Sequence, residues 1–462
     1  MLTVKERTRE MTSSLWMRFW FGRAMAAALV VAAALPAKAA TVIRDAEIEA
    51  TIHAIADPIF SAARLDRESI DIYILRDNKL NAFVAGGQNL FLNTGLISRT
   101  ETPDQLAGVI AHETGHIAGG HLSRQLDAQA SAGASTLLGA LLGAAAAVAG
   151  APQLGTAILA GGATVAERGF LKFSRNQEQA ADQAAVTYLT SLQVSPEGLL
   201  EFFEILDGQN LRLSSGGNPY MRTHPLTRDR IVFLEQQVAR SPFRGAPPDP
   251  TLAARHARAV AKLEGFLDTP AQVLARRQGD SVPDRYARAI AYYRVPDLGR
   301  ALELVDGLIR DEPDDPYFHE LKGQMLFENG RIGEAVAPYR EAVRNRPDSA
   351  LLRLGLARAL IEQGREDDLS EAAALLREVV RIEPTNAGAW RFLGVAEGRL
   401  GREGPAAMAL AEQAVLLQNR DDAQLYIRRA RQIVEPDDPD WFRLQDLARA
   451  AEEIEERDPR RR

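Results

Sequence analysis

Between residues 282 and 423 the sequence repeats itself at intervals of 34, and that period constrains the fold more than any other feature of the chain. Ala289, Ala301 and Pro313 recur as Gly323, Ala335 and Pro347, joined by Tyr339 and Ala342. After a three-residue insertion near Asp367-Asp368, Ala372, Leu376 and Pro384 stand in the same relation, and Trp390, Leu393 and Gly394 open a fourth unit. Small residues at fixed positions let paired helices approach closely, and the proline ends the second helix of each pair. One pair cannot bury its apolar faces alone, so units of this kind stack on their neighbours.

The period resembles that of tetratricopeptide repeats. The resemblance implies an α-solenoid over residues 282–450 that binds peptides or proteins. The cluster Pro247-Pro248-Asp249-Pro250 marks the boundary ahead of it. Residues 40–246 then form a separate domain, 247–281 a linker with a connecting helix, and 451–462 a solvated charged tail.

Residues 1–39 read as an address. Lys5, Arg7, Arg9, Arg18 and Arg23 precede an apolar stretch from Ala24 to Leu35, then Pro36 and the small-residue site Ala37-Lys38-Ala39. This predicts a secretory signal cleaved after Ala39; an uncleaved anchor is the alternative, with an apolar core shorter than the ~20 residues of a spanning helix. With six bases and two acids in that segment, the net charge of −7 becomes −11 for the remainder. Such a chain offers nucleic-acid phosphates no attraction. It has no cysteine, so any metal must be held by His and carboxylates. A periplasmic protein is the expectation.

From Ser69 to Ile97 the apolar residues alternate, which predicts strands, with Asp77-Asn78 as a turn. Elsewhere the pattern is helical, broken at Pro103, Pro196, Pro219, Pro225 and between Pro242 and Pro250. Residues 131–166 are nearly all Ala, Gly, Leu and Val. Pro152 and Gln153 interrupt that run, and each half is short for a span. A packed helical hairpin beside the active site is expected, the alternatives being a mobile lid or a flap in peripheral contact with a membrane.

The chemistry lies in Thr102-Pro103-Asp104, which starts a helix, and in His112-Glu113-Thr114-Gly115-His116 within it. Four residues apart, His112 and His116 share one face and can point imidazole nitrogens at one ion, while Glu113 reaches a water at that ion. One Zn²⁺ per chain suits this donor set, with water acidified toward a pKa of ~7. A third histidine at 122 is missing, because that residue is Leu122. His121 lies nine residues past His112, about 180° around a continuing helix, and is read as a non-ligand. Glu178 and Asp182 on a later helix supply the alternative: Glu178 as third ligand, Asp182 as acceptor for a ligating imidazole's free N–H.

His112, Glu113, His116, Glu178 and Asp182 together resemble the signature of the HtpX-like zinc endopeptidases, related to the prenyl-protein endopeptidases. Over residues 45–423 the likeness is to the BepA-like group, periplasmic proteases and chaperones of outer-membrane assembly that join this domain to tetratricopeptide repeats. Ala180 departs from the pattern, where many relatives carry Glu. The resemblance implies that Asn81, Phe83, Gly86 and Gly87 belong to a strand to which an extended substrate adds. It also implies that His224 is a reversible fourth ligand keeping the enzyme latent, and that Arg230 stabilises the tetrahedral oxyanion.

The fold class expected is therefore mainly α: a zincin-like α+β metalloprotease domain with a small sheet, followed by the repeat solenoid. The function expected is a zinc endopeptidase in which Glu113 takes the proton of water and returns it to the leaving amine. Its partners would be unfolded or misassembled outer-membrane proteins and their assembly machinery, met through the repeats. Two alternatives stand: a non-catalytic periplasmic chaperone or scaffold with a structural or latched zinc site, and an integral-membrane protease resting on residues 131–166.

Overall fold

The computed structural model describes residues 41–121, 175–210 and 219–454. The signal expected at residues 1–39, the 131–166 stretch and residues 455–462 lie outside the described residues. Among the described residues no helix is long and apolar enough to cross a membrane.

The first part is built on a four-stranded sheet of β1 (Val42–Ile43), β2 (Ile72–Leu75), β3 (Ala82–Ala85) and β4 (Asn89–Asn93), in the order β1-β2-β4-β3. Strand β4 pairs in parallel with β2 and antiparallel with β3, matching Phe91 to both Tyr73 and Phe83. Alternation then sorts the side chains. Ile74, Ala82, Leu90 and Leu92 are buried in the core, while Tyr73, Phe91 and Phe83 stack in a row with ring centroids 5.1 and 4.9 Å apart. Asp77-Asn78 lies in the β2–β3 connection, yet those strands are not neighbours, because β4 inserts between them. Gly86 and Gly87, at φ +58° and +101°, make the β3–β4 turn in a region that L side chains avoid. Residues Thr94–Ile97 turn into a short helix, α2, rather than continuing the strand.

Helix α1 (Ala46–Ala62) is capped by Asp45, whose side chain accepts from Glu47 N and Ile48 N, and it buries Ile48, Ile52, Ile55 and Ile59 against the core. Helix α3 (Pro103–Ala118) runs through that core, buried from Gln105 to Gly115, and packs on α1, β3 and α5 (Glu197–Asn210). Between α3 and α5 comes a helix over residues 175–191, α4. After α5 follow α6 (Pro219–Thr223) and α7 (Arg228–Arg240).

The proline cluster at 247–250 opens α8 (Pro250–Leu267), with Asp249 as its cap. This helix packs on α1 and, with the short α9 (Pro270–Arg276), on the first repeat helix. His256 on α8 is 2% exposed, and its Nε2 lies 2.9 Å from Thr100 Oγ1. Burial pushes its pKa down to about 4. The unfolded chain takes up that proton near pH 6.5, so stability is full above this pH and falls as pH drops toward 4. Between pH 7 and pH 5 the loss is about 2 kcal/mol. His256→Gln, compared with wild type by urea unfolding at both pH values, is expected to remove that difference.

The repeats follow as α10 (Val282–Arg294), α11 (Leu298–Asp311), α12 (Pro316–Glu328), α13 (Ile332–Asn345), α14 (Ala350–Gln363), α15 (Glu366–Ile382), α16 (Ala387–Arg399) and α17 (Glu403–Leu416). Two further helices, α18 (Arg420–Ala430) and α19 (Asp440–Glu453), extend the stack. Ala289, Ala301, Ala335, Ala342 and Ala372 are all fully buried. Pro313, Pro347 and Pro384 each stand two residues after a second helix ends. The three-residue insertion is absorbed by α15, which has 17 residues where α11 and α13 have 14.

Buried charges tie α1 and α8 to the first two repeats. Lys262 Nζ reaches Asp45 at 2.8 Å, Glu47 at 3.4 Å and Glu320 at 3.5 Å. Arg258 pairs with Glu47 at 2.8 Å and Asp315 at 2.7 Å, and Tyr286 donates to Glu47 at 2.7 Å.

Candidate metal centre

Helix α3 begins as its sequence requires, with Thr102 accepting from Gln105 N and Pro103 in the first turn. One turn before its end it presents His112 and His116 on one face. Gly115, between them, lets α4 approach: a Cβ there would lie 2.9 Å from the Cα and O of Ala181. That crossing brings Glu178 and Asp182, one turn apart on α4, onto the two imidazoles. His224 arrives from the other side, at the end of α6, where its N–H donates to Tyr220 O at 2.7 Å and its ring packs 4.7 Å from the Tyr220 ring.

Four donors converge: His112, His116, Glu178 and His224 each offer a ligand atom, and these lie within 4.8 Å of one another. His112 Nε2 is 3.1 Å from His116 Nε2 and 3.4 Å from His224 Nδ1. Glu178 lies 3.4 Å from each of His112 Nε2 and His116 Nε2, and 3.2 Å from His224 Nδ1. A tetrahedral ion with bonds of 2.0–2.1 Å requires edges of about 3.4 Å between its ligands. The described side chains thus fit a zinc-like ion, and the set is nitrogen and oxygen only, as a chain without cysteine demands.

For Glu178 and His116 the protonation pattern suits metal binding, whereas an ion on His112 would have to displace a proton. Burial opposes the charge on Glu178, but hydrogen bonds from His112 and His224 outweigh it and hold its carboxyl far below the usual range. Burial and the neighbouring His112 and His224 push the His116 pKa well down, which keeps its lone pair available. Burial also disfavours charge on His112, yet Asp182 and Glu178 raise its pKa to about 9. Its Nδ1 stands 2.9 Å from Asp182 Oδ1, so Asp182 occupies the position of acceptor for that ring.

Glu113 is fully buried, and neither carboxylate oxygen has a hydrogen-bond partner. His224 Nε2 is 3.4 Å from Glu113 Oε1. A sealed carboxylate without donors is costly. Here it adjoins the four converging donors through His224.

Arg230, expected at the oxyanion, makes a buried ion pair in this structure. It is 2% exposed, its Nε and Nη2 donate to Asp182 at 2.6 and 2.8 Å, and Nη1 donates to Pro225 O at 3.0 Å and lies 2.9 Å from Glu178. Every nitrogen of the guanidinium is thus engaged by Asp182, Glu178 or the Pro225 carbonyl. Asp182 is correspondingly held below the usual carboxylate range: burial opposes this, and Arg230 and His112 prevail.

Asn81 immediately precedes β3, Phe83 lies within it, and Gly86-Gly87 end it; β3 is the sheet edge among the described residues and touches both α3 and α6. Sequence reasoning missed two residues. Tyr220 stands four residues before His224, the spacing that stacks two rings on a helical turn. His121 lies 2.9 Å from His116, Nδ1 to Nδ1. It does so because α3 stops at Ala118 and the chain folds back, so the angular argument from a continuing helix fails.

Known proteins place the same pattern. The chain matches peptidase family M48 over residues 43–238 and the tetratricopeptide repeat over residues 286–350. It is 25% identical over 387 residues to the beta-barrel assembly-enhancing protease of Yersinia pestis, covering 82% of this chain and 78% of that protein. To the protein of that name in Escherichia coli it is 24% identical over 392 residues, covering 83% and 79%. The mitochondrial metalloendopeptidase OMA1 of Schizosaccharomyces pombe is 26% identical over 166 residues, 36% of this chain and 46% of that one. Residues 43–238 thus carry a peptidase family M48 domain, and tetratricopeptide repeats follow it.

Proposed function

We propose that this protein is a zinc-dependent endopeptidase of the periplasm, acting in the assembly and quality control of outer-membrane β-barrel proteins and held latent by His224. The observation that carries the reading is the convergence of His112, His116, Glu178 and His224, ligand atoms within 4.8 Å of one another, beside the buried carboxylate of Glu113. Likeness to proteases named for β-barrel assembly, over four fifths of the chain, supports the substrate class. The basic and apolar pattern of residues 1–39 supports the compartment.

A zinc ion at this centre supplies Lewis acidity toward a peptide carbonyl and lowers the pKa of water. The protein's own groups do the rest. Asp182 fixes the ring of His112, and Arg230 holds Asp182 and Glu178 in place. Glu113 takes a proton from water and delivers it to the leaving amine. An extended substrate pairs with β3, with Asn81, Phe83, Gly86 and Gly87 along its path. Because α6 touches β3 and delivers His224, removal of the latch and admission of the substrate involve the same short helix. The repeats bind the protein substrate or its assembly partners. A cavity of about 330 Å³ between residues 43–48, α8 and the α12–α14 helices, lined by Glu320, Phe327, Tyr339, Leu354 and Arg358, is the surface offered for this.

Four protein ligands also describe a structural site, which favours a non-catalytic chaperone as the second reading. His224→Ala separates the two. The latched enzyme is expected to keep one zinc, fall from four protein ligands to three, and gain cleavage by roughly 10–100-fold if the open state is a minor population at rest. Zinc content, X-ray absorption and a fluorogenic peptide assay measure these. Loss of zinc, or three ligands already present in wild type, overturns the latch.

A further inference from the structure

The metal-binding helix ends in a device that the reaction as described does not use. Helix α3 stops at Ala118, Gly120 takes φ +59°, and the chain returns so that His121, 6% exposed, meets His116 edge to face. The Nδ1 atoms are 2.9 Å apart. Gly119 is required for this return: a Cβ there would lie 2.4 Å from His121 Nε2 and 2.7 Å from its Cδ2. Gln177, the residue before Glu178, donates its Nε2 to His121 O at 3.0 Å, joining the fold-back to the helix that brings the carboxylate ligand.

Two ring nitrogens at that distance share one proton, and the position of that proton follows from what His116 does on its other side. His116 Nε2 faces His112 Nε2 and Glu178, so it must carry a lone pair to serve as a ligand. The neutral ring then has its proton on Nδ1, which donates to His121 Nδ1. We infer that His121 is the positioning residue for His116, fixing its tautomer and ring angle as Asp182 does for His112. The inference rests on the metal-centre reading. One ligand is thus supported by an anion and the other by a neutral imidazole.

The experiment measures zinc affinity of the full chain by chelator competition, and the visible spectrum of the cobalt(II)-substituted protein. His121→Ala is expected to weaken zinc binding by roughly 10–100-fold and to change the cobalt bands. His121→Asn, whose side-chain oxygen accepts from the same nitrogen, is expected to recover part of the loss. Gly119→Ala, which keeps the imidazole but displaces it, is expected to reproduce the effect of His121→Ala. Affinity within twofold of wild type for His121→Ala overturns the inference. So does a lowered urea midpoint with unchanged cobalt bands, which is what a purely structural role produces, and Gly119→Ala answers the question if His121→Ala does not fold. Zinc binding that is tight in wild type and lost in His112→Ala tests the metal centre separately, so failure of either reading is distinguishable.

Discussion

Replacing Glu113 by Gln leaves the metal centre loaded and removes peptide-bond cleavage, by roughly 10²–10⁴-fold in kcat/KM. The side chain is isosteric and is not one of the four converging donors, so zinc content stays at one per chain. What disappears is a buried carboxylate beside the centre whose oxygens, among the described residues, have no hydrogen-bond partner. Metal analysis and a peptide assay on the same preparation read both halves. Cleavage that survives at even a tenth of the wild-type rate removes Glu113 from the chemistry. In cells, equal support of β-barrel assembly by wild type and Glu113→Gln assigns the assembly role to holding rather than cutting.

Arg230→Met is expected to cost roughly 3–5 kcal/mol of folding stability, because it strands two buried carboxylates. Asp182 and Glu178 are fully and nearly fully buried, and each sits within 3 Å of the guanidinium. Urea unfolding of the metal-free protein measures the loss directly. An arginine that served the oxyanion would behave oppositely, with stability retained and kcat reduced. Arg230→Lys tests geometry as well as charge: one ammonium cannot make the paired contacts to Asp182 and the Pro225 carbonyl, so it is expected to rescue only part of the stability.

What the sequence disclosed depended on whether the signal was local. His112 and His116 are one helical turn apart, and the cap that makes the helix lies ten residues upstream, so their convergence is readable from spacing alone. The repeats are equally legible, because each unit restates the same contact positions. Glu178 and His224 come from far along the chain: the need for a carboxylate from a later helix suggested the first, and only likeness to a family of known pattern joined the second to the pair. The parallel pairing of β2 with β4 escaped notice, since the residues between the strands look like a simple turn. Arg230 was linked to the oxyanion by family likeness, and its buried partners Asp182 and Glu178 lie too far along the chain to be read from spacing. His121 was set aside by assuming a straight helix, although Gly119-Gly120 already announced the break.

Among the described residues, the polar ties of residues 44–47 and α8 to the solenoid engage Tyr286, Asp315 and Glu320 in the first two repeats and reach Glu383 through Arg44, whereas the helices from α16 onward lean chiefly on their neighbours. The far end is therefore an open-ended rack. Helix pairs can be added, removed or exchanged there over evolutionary time, changing what the molecule recruits, while the hydrolytic machinery stays bolted to an unchanging base.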